Sequence, residues 1–167
     1  MSLEASVQIS LSSVLQSALD LTTSKDTLSY KKTNTFTNGT GANQVNNQFH
    51  DQRTLAVSTA EELDLAGSLL DAFGNTITFT KIKGIIVYAA AANTNDVRIG
   101  GSAANGFNSW VGAVGDYVKV KPGGLFLLTA PDATGLAVTA GTGDLLTLEN
   151  DSSGTAVTYD IVLLGVE

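Results

Sequence analysis

The one histidine of the chain, His50, lies in NQFHDQR with Asp51 beside it. A Ser/His/Asp relay needs a carboxylate that orients the imidazole. Neighbours on an extended chain point to opposite faces, so Asp51 is poorly placed for that task and His50 reads as a surface or structural residue. A single histidine and no cysteine exclude thiolate catalysis, disulfides and metal sites built from His or Cys clusters. Oxygen-rich clusters remain at NTND (93–96) and ENDSSG (149–154). Neither follows the calcium-loop pattern of acids, amides and glycine, and both read as turns. The glycine-rich stretches NGTGAN and RIGGSAANG lack the Lys and Ser/Thr of a phosphate loop, and the first lacks the third glycine of a dinucleotide fingerprint. Sixteen acidic residues will bring some carboxylate pair together by accident, and none stands out as the acid and base of glycoside hydrolysis. Trp110, Phe107, Tyr88 and Tyr117 could form a platform that stacks on sugars. Aromatics in a β domain more often serve the core or a subunit interface. The reading is a protein without catalytic, cofactor-binding or metal-binding residues, and not an enzyme.

What must be positioned is therefore a surface. The chain has 167 residues, 43% of them hydrophobic, enough for one self-supporting core and too apolar for disorder. No apolar run approaches the ~20 residues of a membrane span, so no membrane partner is expected. The start, MSLEASVQISLSS, shows no basic and then long apolar signal pattern, and synthesis in the cytoplasm is expected. Sixteen acids against nine scattered bases leave a net charge of −7. A phosphate backbone calls for a basic stripe, so no nucleic-acid partner is expected.

The dominant hydrophobic period is two. Val7, Ile9 and Leu11 alternate with polar residues, as do Ile77 and Phe79 before Ile82 slips the register. GIIVYAA (84–90) is continuous, as for a strand covered on both faces. DVRIGG sets Val97 and Ile99 against Arg98; YVKVK stops at Pro122; and TAVTYDIVLLGVE sets Val157, Tyr159, Ile161 and Leu163 on one face. Gly115-Asp116 and Gly143-Asp144 each precede an apolar run, which reads as turn chemistry used twice, with Asp bonding backbone two residues on. Asn38-Gly39 signals a two-residue hairpin. Thr59 with Glu62 offers a capping box for a short helix within 58–73, although Gly67 interrupts it and Leu63 and Leu65 also fit a strand. Many short strands between turns predict an all-β fold: an antiparallel β-sandwich or barrel, jelly-roll-like, of about eight to ten strands with at most one or two short helices. The reading is a single β domain over 1–167, with residues 1–14 as a possible N-terminal arm and 31–47 as an exposed polar loop.

FTNGTGANQVNNQFHDQRTLA (36–56), LDLAGSLLDAFGNTITFTKIKGIIV (63–87), GGSAANGF (100–107) and the run from Lys121 through TYDIVLLG (158–165) together resemble small virion proteins of tailed bacteriophages. The resemblance implies a capsid decoration or cement protein, a jelly roll or barrel, often trimeric, and it brings no functional residues. It sets the expectation of a protein on the capsid exterior of the virion whose partners are itself, as a homotrimer, and the major capsid protein. A tail or receptor-associated module binding glycans through residues such as Trp110 is the alternative. Val7, Ile9, Leu11 and Val14 are the candidate partner-binding residues, because a terminal strand readily adds to another chain; the competing reading makes this segment the first strand of its own sheet.

Overall fold

The computed structural model describes residues 2–167. Twelve strands occur among them and no helix: β1 Ala5–Ala18, β2 Thr23–Asn38, β3 Gln44–Val45, β4 Asn47–Leu55, β5 Thr59–Asp64, β6 Lys81–Ala89, β7 Val97–Gly100, β8 Tyr117–Val120, β9 Leu125–Thr129, β10 Leu136–Ala137, β11 Leu145–Asn150 and β12 Val157–Val166. The fold is all-β, as the alternation predicts, and open rather than closed into a barrel.

Two sheets make a sandwich. One has the order β10-β6-β12-β4, with β9 also paired to β6; the other runs β5-β11-β7-β8. Their inner faces share a single hydrophobic core. Ile85, Val87, Tyr159, Ile161 and Leu163 come from the first sheet and Leu63, Val97, Ile99, Leu146 and Leu148 from the second. The inward residues are those picked out by the period of two in β7, β8 and β12. Neighbouring strands within each sheet run antiparallel.

Three local expectations give way. Thr59–Asp64 is strand β5, paired with β11 along its whole length, so the capping-box signal yields to sheet pairing that buries Leu63. GIIVYAA is not covered evenly: Ile85, Val87 and Ala89 are buried, whereas Tyr88 on the other face is exposed. Asn38-Gly39 does not close a two-residue hairpin, because β2 and β3 run parallel around a longer loop fastened by Thr37 N–H to Asn43 O (3.0 Å) and Gly39 N–H to Val45 O (3.1 Å).

The segment 31–47, read as an exposed polar loop, is divided. Residues 31–38 complete β2, and Phe36 and Val45 are fully buried. With Leu164 from the outer face of β12, and with Leu3, Ala5 and Val7 packed around them, they form a second, smaller apolar cluster. Gly165 beside it marks a bulge in β12. A Cβ there would lie 2.6 Å from the Phe79 ring and 2.7 Å from Lys81 O, so no larger residue fits.

Candidate functional site

The sequence-singled polar groups are spent within the fold. Asp51 accepts from Arg53 Nε at 3.1 Å rather than facing His50, which is exposed on β4. NTND and ENDSSG do meet in space, yet as a fastener between loops. Asn95 Nδ2 donates to Asn150 Oδ1 (3.0 Å) and to Thr155 O (2.9 Å). Asp96 pairs with Lys121, Glu149 with Arg98 and Asp151 with Lys119, so each carboxylate faces a cation. No three His, Cys, Asp or Glu side chains converge on a metal-sized site among the described residues.

The four aromatics have separate occupations. Phe107 is buried in the core. Trp110 packs edge-on against Phe126 at 5.4 Å, and its indole N–H donates to Phe107 O at 3.0 Å. The guanidinium of Arg98 lies 3.9 Å from the centre of the Tyr117 ring, covering one face of it, and Tyr88 stands on the outer side of β6. Lys83 is buried, and burial holds its ammonium pKa below the usual lysine value. Its Nζ donates to Asp132 O, which leaves it structural.

What stands apart from the sandwich is the hairpin of β1 and β2. Its fourteen residue pairs run without a slip from Ala5↔Phe36 to Ala18↔Thr23, roughly 45 Å of ribbon at about 3.4 Å per residue. Only the root is anchored. Phe36 enters the second cluster, and Asn34 Nδ2 donates to Thr129 Oγ1 of β9 at 2.6 Å. From Gln8 to Thr33 every residue is exposed.

The two faces of this ribbon differ. Residues opposite each other in an antiparallel ladder project to the same side, so one face reads Val7/Asn34, Ile9/Lys32, Leu11/Tyr30, Ser13/Leu28 and Leu15/Asp26. The other reads Gln8/Thr33, Ser10/Lys31, Ser12/Ser29, Val14/Thr27 and Gln16/Lys25. The first is an apolar stripe that continues outward from the buried second cluster. Ile9, Leu11, Leu15, Leu28 and Tyr30 on it are between 46% and 75% exposed. The turn adds Leu19 and Leu21, the latter 99% exposed.

Of the four residues singled out from sequence, Val7, Ile9 and Leu11 lie on this stripe and Val14 on the polar face. Within the segment 1–14, read as a possible N-terminal arm, residues 5–14 belong to β1 and are paired along their length with β2. The second strand is hidden because its polar-face positions, Lys25, Thr27, Ser29, Lys31 and Thr33, together with Lys32 and Asn34 on the other face, read as loop. The recoverable signal was Leu28, Tyr30 and Phe36 at even spacing, in phase with Val7, Ile9 and Leu11.

Comparison of the chain with protein-family models, with curated proteins and with solved structures finds no match.

Proposed function

We propose that this chain is a structural protein of a tailed-phage virion, a decoration protein that sits on the outside of the head shell against the major capsid protein and stabilises it. The observation that carries the reading is the projecting amphipathic ribbon on a sandwich whose Arg53, Arg98, Lys119 and Lys121 are ion-paired within the fold. A two-stranded ribbon is marginal in water by itself, and a contiguous apolar stripe on a protein surface marks an interaction site. Each Leu-sized side chain taken fully out of water contributes roughly 1.5–3 kcal/mol, so an arm covered on assembly strengthens whatever shell it joins. The acidic body suits a place away from packaged DNA, and the likeness of residues 36–56, 63–87 and 100–107 to small virion proteins supplies the setting.

The test is co-sedimentation of the purified protein with expanded heads and, separately, with isolated tails of its phage. Saturable binding to heads, and heads that then survive a higher temperature, are the expected results. Binding to tails alone would overturn the head reading, and a glycan array with strong hits quenched at Trp110 would replace it with the carbohydrate-binding one.

A further inference from the structure

We propose that the apolar face of the arm is covered by the same face of a second copy of this chain, the two ribbons lying antiparallel about a two-fold axis through the Ser12↔Ser29 pair. The proposal rests on the arm being an assembly element and is independent of where on a virion the protein sits.

The argument is one of register. Lys32 and Asp26 are the two charges on the apolar face, both on β2 and three residues to either side of Ser29. Ile9 and Leu15 occupy the matching places on β1, three residues to either side of Ser12, and Ser12 and Ser29 are themselves opposite each other. A two-fold axis in the plane of the interface, perpendicular to the strands at that pair, places each strand over its own copy. Lys32 then meets Asp26 of the second copy, Asp26 meets its Lys32, Ile9 meets Leu15 and Tyr30 meets Leu28. Both charges entering the interface are neutralised, which their desolvation demands.

Parallel packing, whether of two ribbons or of three around a three-fold axis, sets equal levels side by side. Lys32 would then face Ile9 or another Lys32, and Asp26 would face Leu15 or another Asp26, with no opposite charge at either level. The contact is confined to the levels between Ile9↔Lys32 and Leu15↔Asp26, because the apolar face at the Ala5↔Phe36 root is already buried against Leu164 and Val45 of its own chain. Sheets packed face to face in this way lie about 10 Å apart, within reach of these side chains.

A charge-swap experiment on the full-length chain tests this, with mass read by light scattering or sedimentation at micromolar concentration and folding checked by circular dichroism. The wild type is expected to be a dimer. Lys32→Glu and Asp26→Lys each place like charges opposite one another twice and are expected to be folded monomers. Mixed in equal amounts they restore both opposite-charge contacts, and a heterodimer is expected only in the mixture. A monomeric or trimeric wild type, or single variants that dimerise like the wild type, would overturn the proposal. Heads titrated with the wild type separate the two readings: a wild type that does not bind heads overturns the virion assignment alone, whereas the mixing result concerns only the arm.

Discussion

The Tyr159 hydroxyl, on β12 in one sheet, donates to Glu61 Oε1, on β5 in the other. Glu61 Oε2 is held in turn by Arg53 NH1 at 2.7 Å, and Arg53 also holds Asp51. The pair ties the β4 edge of one sheet to the β5 edge of its partner, at a point where an otherwise apolar core opens toward solvent. Burial, followed by the bond to Glu61, pushes the Tyr159 phenol above its ordinary value of 10.0. Neutral phenol is therefore the folded form, and the unfolded chain loses its proton first as pH rises. The stability this contributes is complete below about pH 10 and is lost at higher pH. Tyr159→Phe should lower Tm by about 2–4 °C at neutral pH, for a cost of ~1 kcal/mol. The gap should close as pH rises past 10. Melting curves of both proteins from pH 7 to 11 check it, and a gap that widens with pH would be incompatible with the assignment.

Asn150 is the most heavily used buried polar side chain. Its amide donates to Ala56 O (3.0 Å) and Thr155 O (2.9 Å) and its oxygen accepts from Asn95. Asn150→Ala removes all three bonds from a buried site, while Ala56 O keeps the Thr59 hydroxyl and Thr155 O keeps the Asn95 amide, a loss of roughly 1–2 kcal/mol. Denaturant unfolding should show a lower midpoint with an unchanged slope, and proteolysis should first cut near residues 151–156, the turn that Asn150 holds.

The two Gly-Asp turns form a natural pair. In each, the carboxylate accepts from the N–H three residues earlier rather than two residues on: Asp116 Oδ2 from Ala113 (2.8 Å) and Asp144 Oδ2 from Gly141 (2.5 Å). They differ in burial, since Asp144 is 6% exposed and Asp116 lies at the surface. Water can replace a carboxylate at the surface and not in the interior. Asp144→Ala should therefore cost about 1–2 kcal/mol and Asp116→Ala under about 0.5 kcal/mol; equal losses would show that burial is irrelevant to these turns.

Much of the sandwich is legible in the sequence because one face of each strand is dry. Val97 and Ile99, or Val157 through Leu163, alternate cleanly since a one-residue slip would turn them all to water. Thr59–Asp64 misleads because Thr59 and Glu62 carry a local helix signal, and the pairing that overrides it comes from β11, more than eighty residues away. The arm is legible only in half. Beyond the root at Val7 and Asn34, its residues are exposed on both faces, so selection for a core leaves no mark there, and its turn at Leu19-Asp20-Leu21-Thr22 carries no Gly or Pro to announce a hairpin. A site made of ordinary Ile, Leu and Tyr has no chemical signature; only the topology, which puts them where nothing of their own chain covers them, sets them apart.

That separation leads to a prediction about the arm and the body. No residue between Ile9 and Lys32 belongs to either buried cluster, and β1 beyond Val7 pairs with nothing except β2. The pair Gln8↔Thr33 is where the ribbon can be shortened without disturbing its root, by deleting 9–32 and joining the two residues through Asn-Gly, whose type I′ turn matches the strand twist. Phe36, Val45 and Leu164 stay covered by Leu3, Ala5 and Val7, so the trimmed protein should melt within about 2 °C of the intact monomer. It should also lose self-association and become more soluble, because the exposed apolar stripe is gone. Deleting residues 1–14 instead removes Leu3, Ala5 and Val7 and strands β2, and should lower Tm by several degrees. Equal melting temperatures for the two deletions would mean that the root contributes nothing to the fold; a large loss on trimming 9–32 would mean that the arm is part of the core's support and not a projection from it.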